Sequence, residues 1–419
     1  MTILLTMLAT DALTVVVMNF MTGEKKIDKA ISPLYAVTDP QFLRSMGSLL
    51  GPALSDGNRV TCFLNGDEIF KAMLEAIAGT RRTISFETYI YWSGQIGSRF
   101  VEALSERARA GVKVHILLDW AGSSSMDGAL LDALVAAGAR VEKYHEPRWY
   151  SLSRMNNRTH RKLLVLDGCV GFTGGVGVAD QWLGNAQDAE HWRDSHYRLE
   201  GPAVAQMQAA FMDNWMKAVG TVLHGEEYFP ELPKKGEALA QVFKSSPGEG
   251  SESVRLMYLL SIASARHSVR IAAAYFVPDD LSLATLVEAS KRGVKIEVIL
   301  PGKTTDTELT RKASSSRWGK LLEAGIAIFE YQPTMFHCKV MIVDDSWVSV
   351  GSTNFDSRSF RLNDEANLNV FDSAFAQDQI RIFEDDKAHS TQVSLQEWTQ
   401  RPWTDKVLEH AAGLLRSQL

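Results

Sequence analysis

A short motif, His-x-Lys-x4-Asp, occurs twice in this chain and restricts its fold and chemistry more than any other sequence feature. The two copies are His160, Lys162 and Asp167, and His337, Lys339 and Asp344. Because alternate residues of a strand share a face, each histidine is expected to project beside its lysine, while Arg161 and Cys338 point the other way. The apolar runs LLVL and VMIV that follow are typical of strands buried on both faces, with each aspartate at the turn that ends the strand.

The order of sequence signals around the first motif, from about residue 58 to 172, recurs with gaps from about residue 239 to 350. The predicted helices cover residues 72–80, 98–111, 254–265 and 283–293, and the predicted strands cover residues 84–92, 112–120, 269–278 and 294–302. One such motif can arise by chance, but two at corresponding places of a repeat indicate a shared role. Strands that alternate with helices predict a largely parallel sheet covered on both faces.

A segment rich in proline, glycine and charge, residues 224–237, separates the two copies and marks a domain boundary. With 419 residues, 45% of them hydrophobic, the chain is long enough for two cores of ordinary domain size. The expected division is an N-terminal segment at 1–55, a first domain at 56–235, and a second domain with a C-terminal helix at 236–419.

Charge and cysteine content disfavour several classes of function. The formal net charge is -6, from 44 Lys and Arg against 50 Asp and Glu, which is not typical of a protein that coats nucleic acid. The three cysteines, Cys62, Cys169 and Cys338, lie far apart and lack zinc-ligand spacing. We therefore expect neither a disulfide framework nor a metal site.

The first 21 residues are mostly apolar, but Asp11 stands at their middle and no Lys or Arg precedes it, which argues against a signal peptide. A central aspartate costs roughly 2.5 to 3.5 kcal/mol on membrane-insertion scales, so this segment predicts at best a marginal anchor. A buried or surface-lying amphipathic helix is the equally weighted alternative.

The paired motifs resemble those of the phospholipase D superfamily, and the details are similar to the bacterial cardiolipin synthases within it. The supporting segments are GDEIFKAMLEAI, FETYIYW, GGVGVADQWLG, WRDSHYRLEGPAV, AYFVPDD, GSTNFDSRSF and LNDEANL. The resemblance covers nearly the whole chain. It implies an α/β fold of two similar αβα sandwich domains, packed as a pseudo-twofold dimer within one chain, with both histidines at the interface.

The same resemblance implies catalysis by two histidines without a cofactor. By analogy with the family, His160 is the nucleophile that forms a phosphohistidine and His337 is the general acid and base, although the reverse assignment stays open. Lys162 and Lys339 would hold the non-bridging phosphate oxygens, which makes a divalent metal unnecessary.

Three further residues are expected to bind phosphate: Asn354, Ser352 and Gly175. Asn354 matches the family's phosphate-binding asparagine. The first half has Gly177 at the corresponding place, where only backbone N–H groups of a glycine-rich turn could bind an anion, and a simple tight turn is the equally weighted alternative.

Two carboxylates are expected to orient the imidazoles, because a catalytic histidine usually needs a partner that fixes its tautomer. Asp194 and Glu365 follow the histidines of their own halves by 34 and 28 residues. The motif aspartates, Asp167 and Asp344, are expected to brace turns rather than to touch substrate. Glu87, among apolar strand residues, could line the pocket or form a buried pair. His191 and His196 flank Asp194 without a metal-ligand pattern.

We expect transfer of a phosphatidyl group between two phosphatidylglycerol molecules, which gives cardiolipin and glycerol. Hydrolysis of phospholipids to phosphatidic acid is the close alternative, and a metal-independent nuclease is a weaker one. A lipid-binding scaffold without activity is disfavoured by the completeness of both motifs.

The expected partners are an anionic phospholipid and a membrane surface, without nucleic acid, and the sequence leaves the oligomeric state open. Residues 148–162 contain five Arg or Lys and no acid, a composition that suits an anionic lipid interface, nucleic acid or a flexible basic loop. The expected location is the bacterial inner membrane, with the protein either peripheral or anchored by its N-terminus.

Overall fold

The structure is a computed structural model. It describes residues 10, 27, 29–32, 35–146, 156–247 and 253–414. The apolar segment at 1–21, apart from residue 10, and positions 148–155 of the basic stretch lie outside the described residues. Within the described ranges, no helix has both the length and the apolar character needed to cross a bilayer.

The elements of the first half alternate much as the repeat predicts. The helices are α1 (Pro40–Leu49), α2 (Asn65–Gly79), α3 (Gln95–Arg109), α4 (Gly128–Ala136) and α5 (Val204–Val219), with a 3-10 turn at Asp180–Trp182. The strands are β1 (Ser55–Leu64), β2 (Thr83–Thr88), β3 (Lys113–Asp119), β4 (Arg140–Tyr144), β5 (Arg158–Thr159), β6 (Leu163–Leu166), β7 (Val170–Gly174) and β8 (Ser195–Glu200).

The second half repeats this order with insertions. The helices are α6 (Ser253–Ser264), α7 (Asp280–Lys291), α8 (Glu308–Ser315), α9 (Trp318–Glu323), α10 (Ser357–Arg361), α11 (Ser373–Ala388), α12 (Leu395–Gln400) and α13 (Trp403–Leu414). The strands are β9 (Ala238–Ser245), β10 (Ser268–Ala273), β11 (Phe276–Val277), β12 (Lys295–Pro301), β13 (Ala327–Tyr331), β14 (Lys339–Val343), β15 (Trp347–Gly351), β16 (Phe355–Asp356), β17 (Asn363–Phe371) and β18 (Ser390–Val393).

One sheet runs through both halves in the order β18-β13-β12-β10-β14-β15-β17-β9-β1-β8-β7-β6-β2-β3-β4. Apart from the edge strand β18, each half has the same order read outward from the antiparallel pair β1–β9. This arrangement agrees with two similar αβα halves related by a pseudo-twofold axis. The domain bounds themselves stay a prediction.

The expectation of a largely parallel sheet is wrong. Parallel pairing joins β2, β3 and β4 in the first half and β10, β12 and β13 in the second. The remaining neighbours along the sheet pair antiparallel, including β6–β7 and β14–β15, and the first strand of each of these two pairs lies within a motif. Those strands are joined by short turns rather than by crossover helices, and a short turn can connect only antiparallel neighbours.

Helices cover both faces of the sheet, as predicted. On one face, Phe70 of α2 and Phe100 of α3 pack in a core of the first half, and Met257 of α6 and Leu286 of α7 pack in a separate core of the second. On the opposite face a single core continues through both halves and includes Phe211 of α5 and Phe383 of α11. The sequence predicted two cores, and the third one holds the halves together.

The motif aspartates brace turns, as expected. Asp167 accepts hydrogen bonds from the backbone N–H groups of residues 81, 82 and 83, and Asp344 accepts them from residues 266, 267 and 268. Both residues have positive φ angles, 52° and 49°, in the left-handed region that Asp and Asn tolerate. Each carboxylate thus ties the end of a motif strand to the start of its neighbour.

Replacing Asp344 with Asn should lower the free energy of unfolding by about 1 to 3 kcal/mol, because the amide keeps the backbone preference but loses charged hydrogen bonds to three N–H groups. Urea unfolding of the Asp344→Asn and Asp167→Asn variants measures this effect. Product identity in any activity assay should not change. An unchanged unfolding midpoint would show that these bonds do not brace the fold.

Candidate active site

The imidazole of His160 lies against a carboxylate from the other half of the chain. Its Nδ1 atom is 3.1 Å from both Oε1 and Oε2 of Glu365. Ser352 donates its hydroxyl to Oε2 of Glu365 at 2.5 Å, and the Asn363 amide donates to Oε1 at 3.3 Å. These side chains are buried. Because Nδ1 faces the carboxylate, Nε2 is the nitrogen left to face a substrate.

The imidazole of His337 has a matching environment. Its Nδ1 is 2.8 Å from Oδ2 of Asp194, which also accepts from the indole N–H of Trp182 at 3.0 Å. The backbone N–H of Ser195 donates to Oδ1 of Asp194 at 2.8 Å. The rings of Trp182 and Trp192 flank the imidazole, with centroids 5.3 and 5.4 Å from its own.

The carboxylates are therefore exchanged between the halves. Both residues singled out from the sequence do contact a histidine, but Asp194 contacts His337 and Glu365 contacts His160, rather than the histidine that precedes each in its own half. Glu365 is 1% exposed, which rules out a solvent-facing role for its side chain.

Backbone pairing across the junction explains the exchange. Strand β5 pairs in parallel with the start of β17, so the N–H of His160 donates to the carbonyl of Asp364 at 2.9 Å. On the other side, Arg193 forms a parallel bridge with Phe336, and the N–H of His337 donates to the carbonyl of Arg193 at 2.8 Å. In each case the carboxylate belongs to the residue that follows the accepting carbonyl, so it lies beside the histidine of the other half.

Each motif lysine folds back on its own motif. Nζ of Lys162 donates to the carbonyl of His160 at 2.8 Å, and Nζ of Lys339 donates to that of His337 at 2.7 Å. Nζ of Lys339 is also 3.2 and 3.3 Å from the two ring nitrogens of His337. Burial and the nearby charge of Lys339 together lower the pKa of Lys162 to about 7. The two ammonium groups thus share one electrostatic environment.

The protonation of the histidines follows from the same burial. Burial lowers the pKa of His160 to about 4, and nearby Lys162 and Lys339 act in the same direction, while Glu365 opposes them. Burial and Lys339 also lower the pKa of His337, and Asp194 opposes them. At neutral pH the imidazole of His160 is thus neutral, and Glu365 and Asp194 are the carboxylates that balance the two lysines. An incoming anion would favour the charged forms.

The three expected phosphate-binding residues lie in different surroundings. Asn354 is buried, and its Oδ1 has no hydrogen-bond partner among the described residues. Ser352 instead donates its hydroxyl to Glu365, so in this structure it supports the carboxylate. The N–H of Gly175 donates to the carbonyl of Ser195 at 3.2 Å and is not directed at a substrate site. Gly177, opposite Ile90, leaves no room for a side chain.

A methyl group at Gly175 would lie 2.2 Å from Oδ1 of Asp194, so the Gly175→Ala variant must displace this carboxylate from His337. We expect kcat/KM to fall by about 10²-fold or more, because His337 would lose the carboxylate that holds its Nδ1 atom. Gly79→Ala is the matched control, since a methyl group there meets no atom within 4 Å. Equal activities of the two variants would contradict this role of Gly175.

Sequence reasoning missed the aromatic walls of the site. Trp182 donates its indole N–H to Asp194 and packs edge-to-face against His337. Tyr89 plays a similar part at His160, with ring centroids 5.2 Å apart, and lies 5.6 Å from Nζ of Lys162. The conspicuous segments FETYIYW and ADQWLG were the available signal.

Other polar residues that stood out from the sequence lie behind the site. Glu87 is fully buried and accepts hydrogen bonds from Thr159 and, at 2.7 Å, from Asn214. Burial raises the pKa of Glu87 to about 7. Burial lowers the pKa of His196 to about 4, and its Nδ1 has no partner within the described chain. His191 bonds the nearby Asp188 at 2.6 Å.

Two buried arginines next to the histidine–carboxylate pairs, Arg161 and Arg193, also hold the two halves together. Arg161 points away from His160, as expected, and its buried guanidinium donates to the carbonyls of Ala210, Ser245 and Glu365. Arg193 donates to both carboxylate oxygens of Asp386 at 2.7 and 2.9 Å.

In the described ranges, no group of three His, Cys, Asp or Glu side chains has a metal-binding arrangement.

Comparison with known proteins gives the same picture. The family described as "Cardiolipin synthase, PLD-like domain" matches residues 73–215 and 258–387. Cardiolipin synthase 1 of Bacillus anthracis is 34% identical over 375 residues, which cover 87% of this chain and 73% of the relative. The major cardiolipin synthase ClsA of Bacillus subtilis is 32% identical over 364 residues, covering 86% and 75%.

Solved structures support the fold. Phosphatidylserine synthase from Haemophilus influenzae superposes with a TM-score of 0.64 at 13% identity, over 86% of this chain and 95% of that one. Polyphosphate kinase from Porphyromonas gingivalis has a TM-score of 0.55 at 11% identity, over 93% and 57%. With two matched segments, relatives over most of its length and two exchanged histidine–carboxylate pairs, this chain belongs to the cardiolipin synthase family of phospholipase D-like enzymes.

Proposed function

We propose that this protein transfers a phosphatidyl group from one phosphatidylglycerol to the headgroup hydroxyl of a second, and so produces cardiolipin and glycerol. The observation that carries the proposal is the exchanged pairing of His160 with Glu365 and of His337 with Asp194. Each half supplies the carboxylate that pairs with Nδ1 of the other half's histidine, which leaves Nε2 of each imidazole as the nitrogen without a carboxylate partner.

In the first step, Nε2 of His160 attacks phosphorus and the bond between phosphorus and the glycerol oxygen breaks. His337 donates a proton to that oxygen, so glycerol leaves as a neutral alcohol and the phosphatidyl group remains on His160. In the second step His337 takes the proton from the incoming hydroxyl, whose oxygen attacks phosphorus. The phosphorus–nitrogen bond then breaks, and both histidines return to their starting state.

The other residues of the site support these steps. Lys162 and Lys339 stabilise the non-bridging oxygens as charge develops on them. Glu365 and Asp194 accept from the Nδ1–H groups and stabilise the imidazolium or phosphohistidine forms. The neutral resting imidazole of His160 is suited to nucleophilic attack. Substrate binding favours the charged lysines and the protonated His337, because the phosphodiester brings a negative charge into a buried site.

Hydrolysis would use the same phosphohistidine, with water in place of the second lipid. The burial of the imidazoles, lysines and carboxylates favours transfer, because it limits the access of water to the intermediate. The membrane surface is the proposed place of action, since both substrates reside there. An inner-membrane location is part of the same proposal.

Product analysis tests the proposed function. The purified protein is incubated with phosphatidylglycerol vesicles in EDTA, and the lipids and the released glycerol are identified by mass spectrometry. We expect cardiolipin and glycerol in equal amounts. Phosphatidic acid as the main product would show that the protein hydrolyses phospholipids rather than transferring phosphatidyl groups. Cleavage of single-stranded DNA with no change in the lipid would show that the substrate is not a lipid.

A further inference from the structure

Tyr275 is held between two parts of the active site in the second half. The N–H of Ala274 donates to the carbonyl of Cys338, between His337 and Lys339, at 3.0 Å. The N–H of Phe355, which follows Asn354, donates to the carbonyl of Tyr275 at 3.0 Å. The backbone of Tyr275 is therefore positioned by the motif segment and by the loop that carries Asn354.

The side chain of Tyr275 connects this position to an exposed carboxylate. Its hydroxyl donates to Oδ2 of Asp306, which lies in the loop between β12 and α8. Asp306 is solvent-exposed, whereas Tyr275 is partly buried. Burial lowers the pKa of both His337 and Lys339, and Asp306 is among the carboxylates that oppose this shift. Asp306 is thus an exposed carboxylate, bonded to Tyr275 and near enough to His337 and Lys339 to act on their charges.

In the described part of the first half, another residue takes the place of Tyr275. The N–H of Val178 donates to the carbonyl of Ile90 at 2.9 Å, which is the same bond that Phe355 makes to Tyr275, so Ile90 takes the place of the tyrosine. Asp119, at the end of β3, is buried, and its carboxylate accepts from the N–H groups of Ala121, Gly122 and Thr159. The hydrogen-bonded pair of Tyr275 and Asp306 therefore has no counterpart at Ile90, so it lies on one side of the site only.

The proposed reaction also makes the two sides of the site different. If His160 attacks phosphorus in line, the alcohol leaves on the side of His337, and the acceptor alcohol arrives on that side as well. A carboxylate there accepts hydrogen bonds from hydroxyl groups and repels a bare anion. The phenol oxygen of Tyr275, whose O–H donates to Asp306, can still accept a hydrogen bond from such a hydroxyl.

We propose that Tyr275 and Asp306 form a subsite for the free hydroxyls of a polyol headgroup, and that they make the enzyme prefer glycerol-type alcohols over simple ones. This inference rests on the proposed function and extends it to the choice of alcohol. Asp306 and Tyr275 are specificity-determining residues in this account, and neither takes part in the proton transfers to the leaving oxygen or from the incoming hydroxyl.

A competition experiment tests the subsite. Phosphatidylglycerol vesicles are incubated with the enzyme and equal concentrations of deuterated glycerol and 1-propanol, and the ratio of deuterated phosphatidylglycerol to phosphatidylpropanol is measured. Both products arise from one intermediate, so their ratio does not depend on the fraction of active enzyme. We expect wild type to favour glycerol, Asp306→Asn to lower the ratio about 10-fold or more, and Tyr275→Phe to lower it less.

Asp378→Asn is the matched control, because Asp378 is an exposed aspartate of α11 that is paired with Arg381. The product ratio of this variant should equal that of wild type. A ratio unchanged by Asp306→Asn would overturn the subsite while leaving the proposed function intact. If wild type forms neither of these products nor cardiolipin, the proposed function fails and the subsite fails with it.

Discussion

Replacing His160 with Ala is expected to lower phosphatidyl transfer by about 10⁴-fold or more, because the variant cannot form the covalent intermediate. His337→Ala should act differently. Without a general acid, release of glycerol from phosphatidylglycerol should slow by about 10²- to 10⁴-fold, whereas release of p-nitrophenol, which needs no proton, should slow much less. A phosphatidyl ester of p-nitrophenol and phosphatidylglycerol are the two donors for this comparison.

The unfolding midpoint of each variant in urea serves as the control for folding, since both histidines are buried. Equal losses on the two donors for His337→Ala would contradict its role as the acid. If instead His160→Ala retained the fast release of p-nitrophenol and His337→Ala lost it, the two roles would be reversed, as the sequence alone allowed.

The second large effect concerns the exchanged carboxylates. Asp194→Asn is expected to lower kcat/KM by about 10²- to 10⁴-fold on phosphatidylglycerol, because the amide can hold His337 in the wrong tautomer, an effect established for the corresponding aspartate of serine proteases. Since Asp194 contacts His337, this variant should spare the p-nitrophenyl donor, as His337→Ala does. Glu365→Gln should impair both donors, as His160→Ala does.

This pattern distinguishes the exchanged pairing from pairing within each half, which would interchange the two results. Double variants add a further check, because residues that act as a unit are not additive. Asp194→Asn should cost little more once His337 is replaced, yet should remain costly in the Glu365→Gln background. Glu288→Gln, at an exposed glutamate paired with Lys291, is the surface control.

Much of this architecture was predictable from local sequence. Helical and strand periodicity located the repeated elements, and the predicted helix over residues 98–111 corresponds to α3 at Gln95–Arg109. The doubled motif identified both histidines and both lysines, because a two-residue spacing in extended chain places such side chains together. The aspartates at the strand ends were correctly assigned to turns for the same local reason.

What sequence could not predict depends on pairing between distant segments. The contact of His160 with Glu365 joins residues 205 positions apart, and it follows from the register of β5 with β17. No local pattern encodes that register. The mixed sheet was missed for a related reason, because hairpins such as β14–β15 have the same apolar composition as parallel strands. The hydrogen bond from the hydroxyl of Ser352 to Glu365 is likewise a tertiary contact, which local sequence does not reveal. The sequence therefore predicted a phosphate-binding role for Ser352 instead.

The central claim is that both motifs serve one phosphorus atom, and the most direct measurement is the stoichiometry and position of the covalent intermediate. Wild type and His337→Ala are each mixed with a radiolabelled p-nitrophenyl phosphatidyl donor, quenched in alkali, digested and analysed by mass spectrometry. We predict one phosphatidyl group per chain, attached to His160. Two groups per chain, or labelling of wild type on both His160 and His337, would show two separate sites and contradict the account.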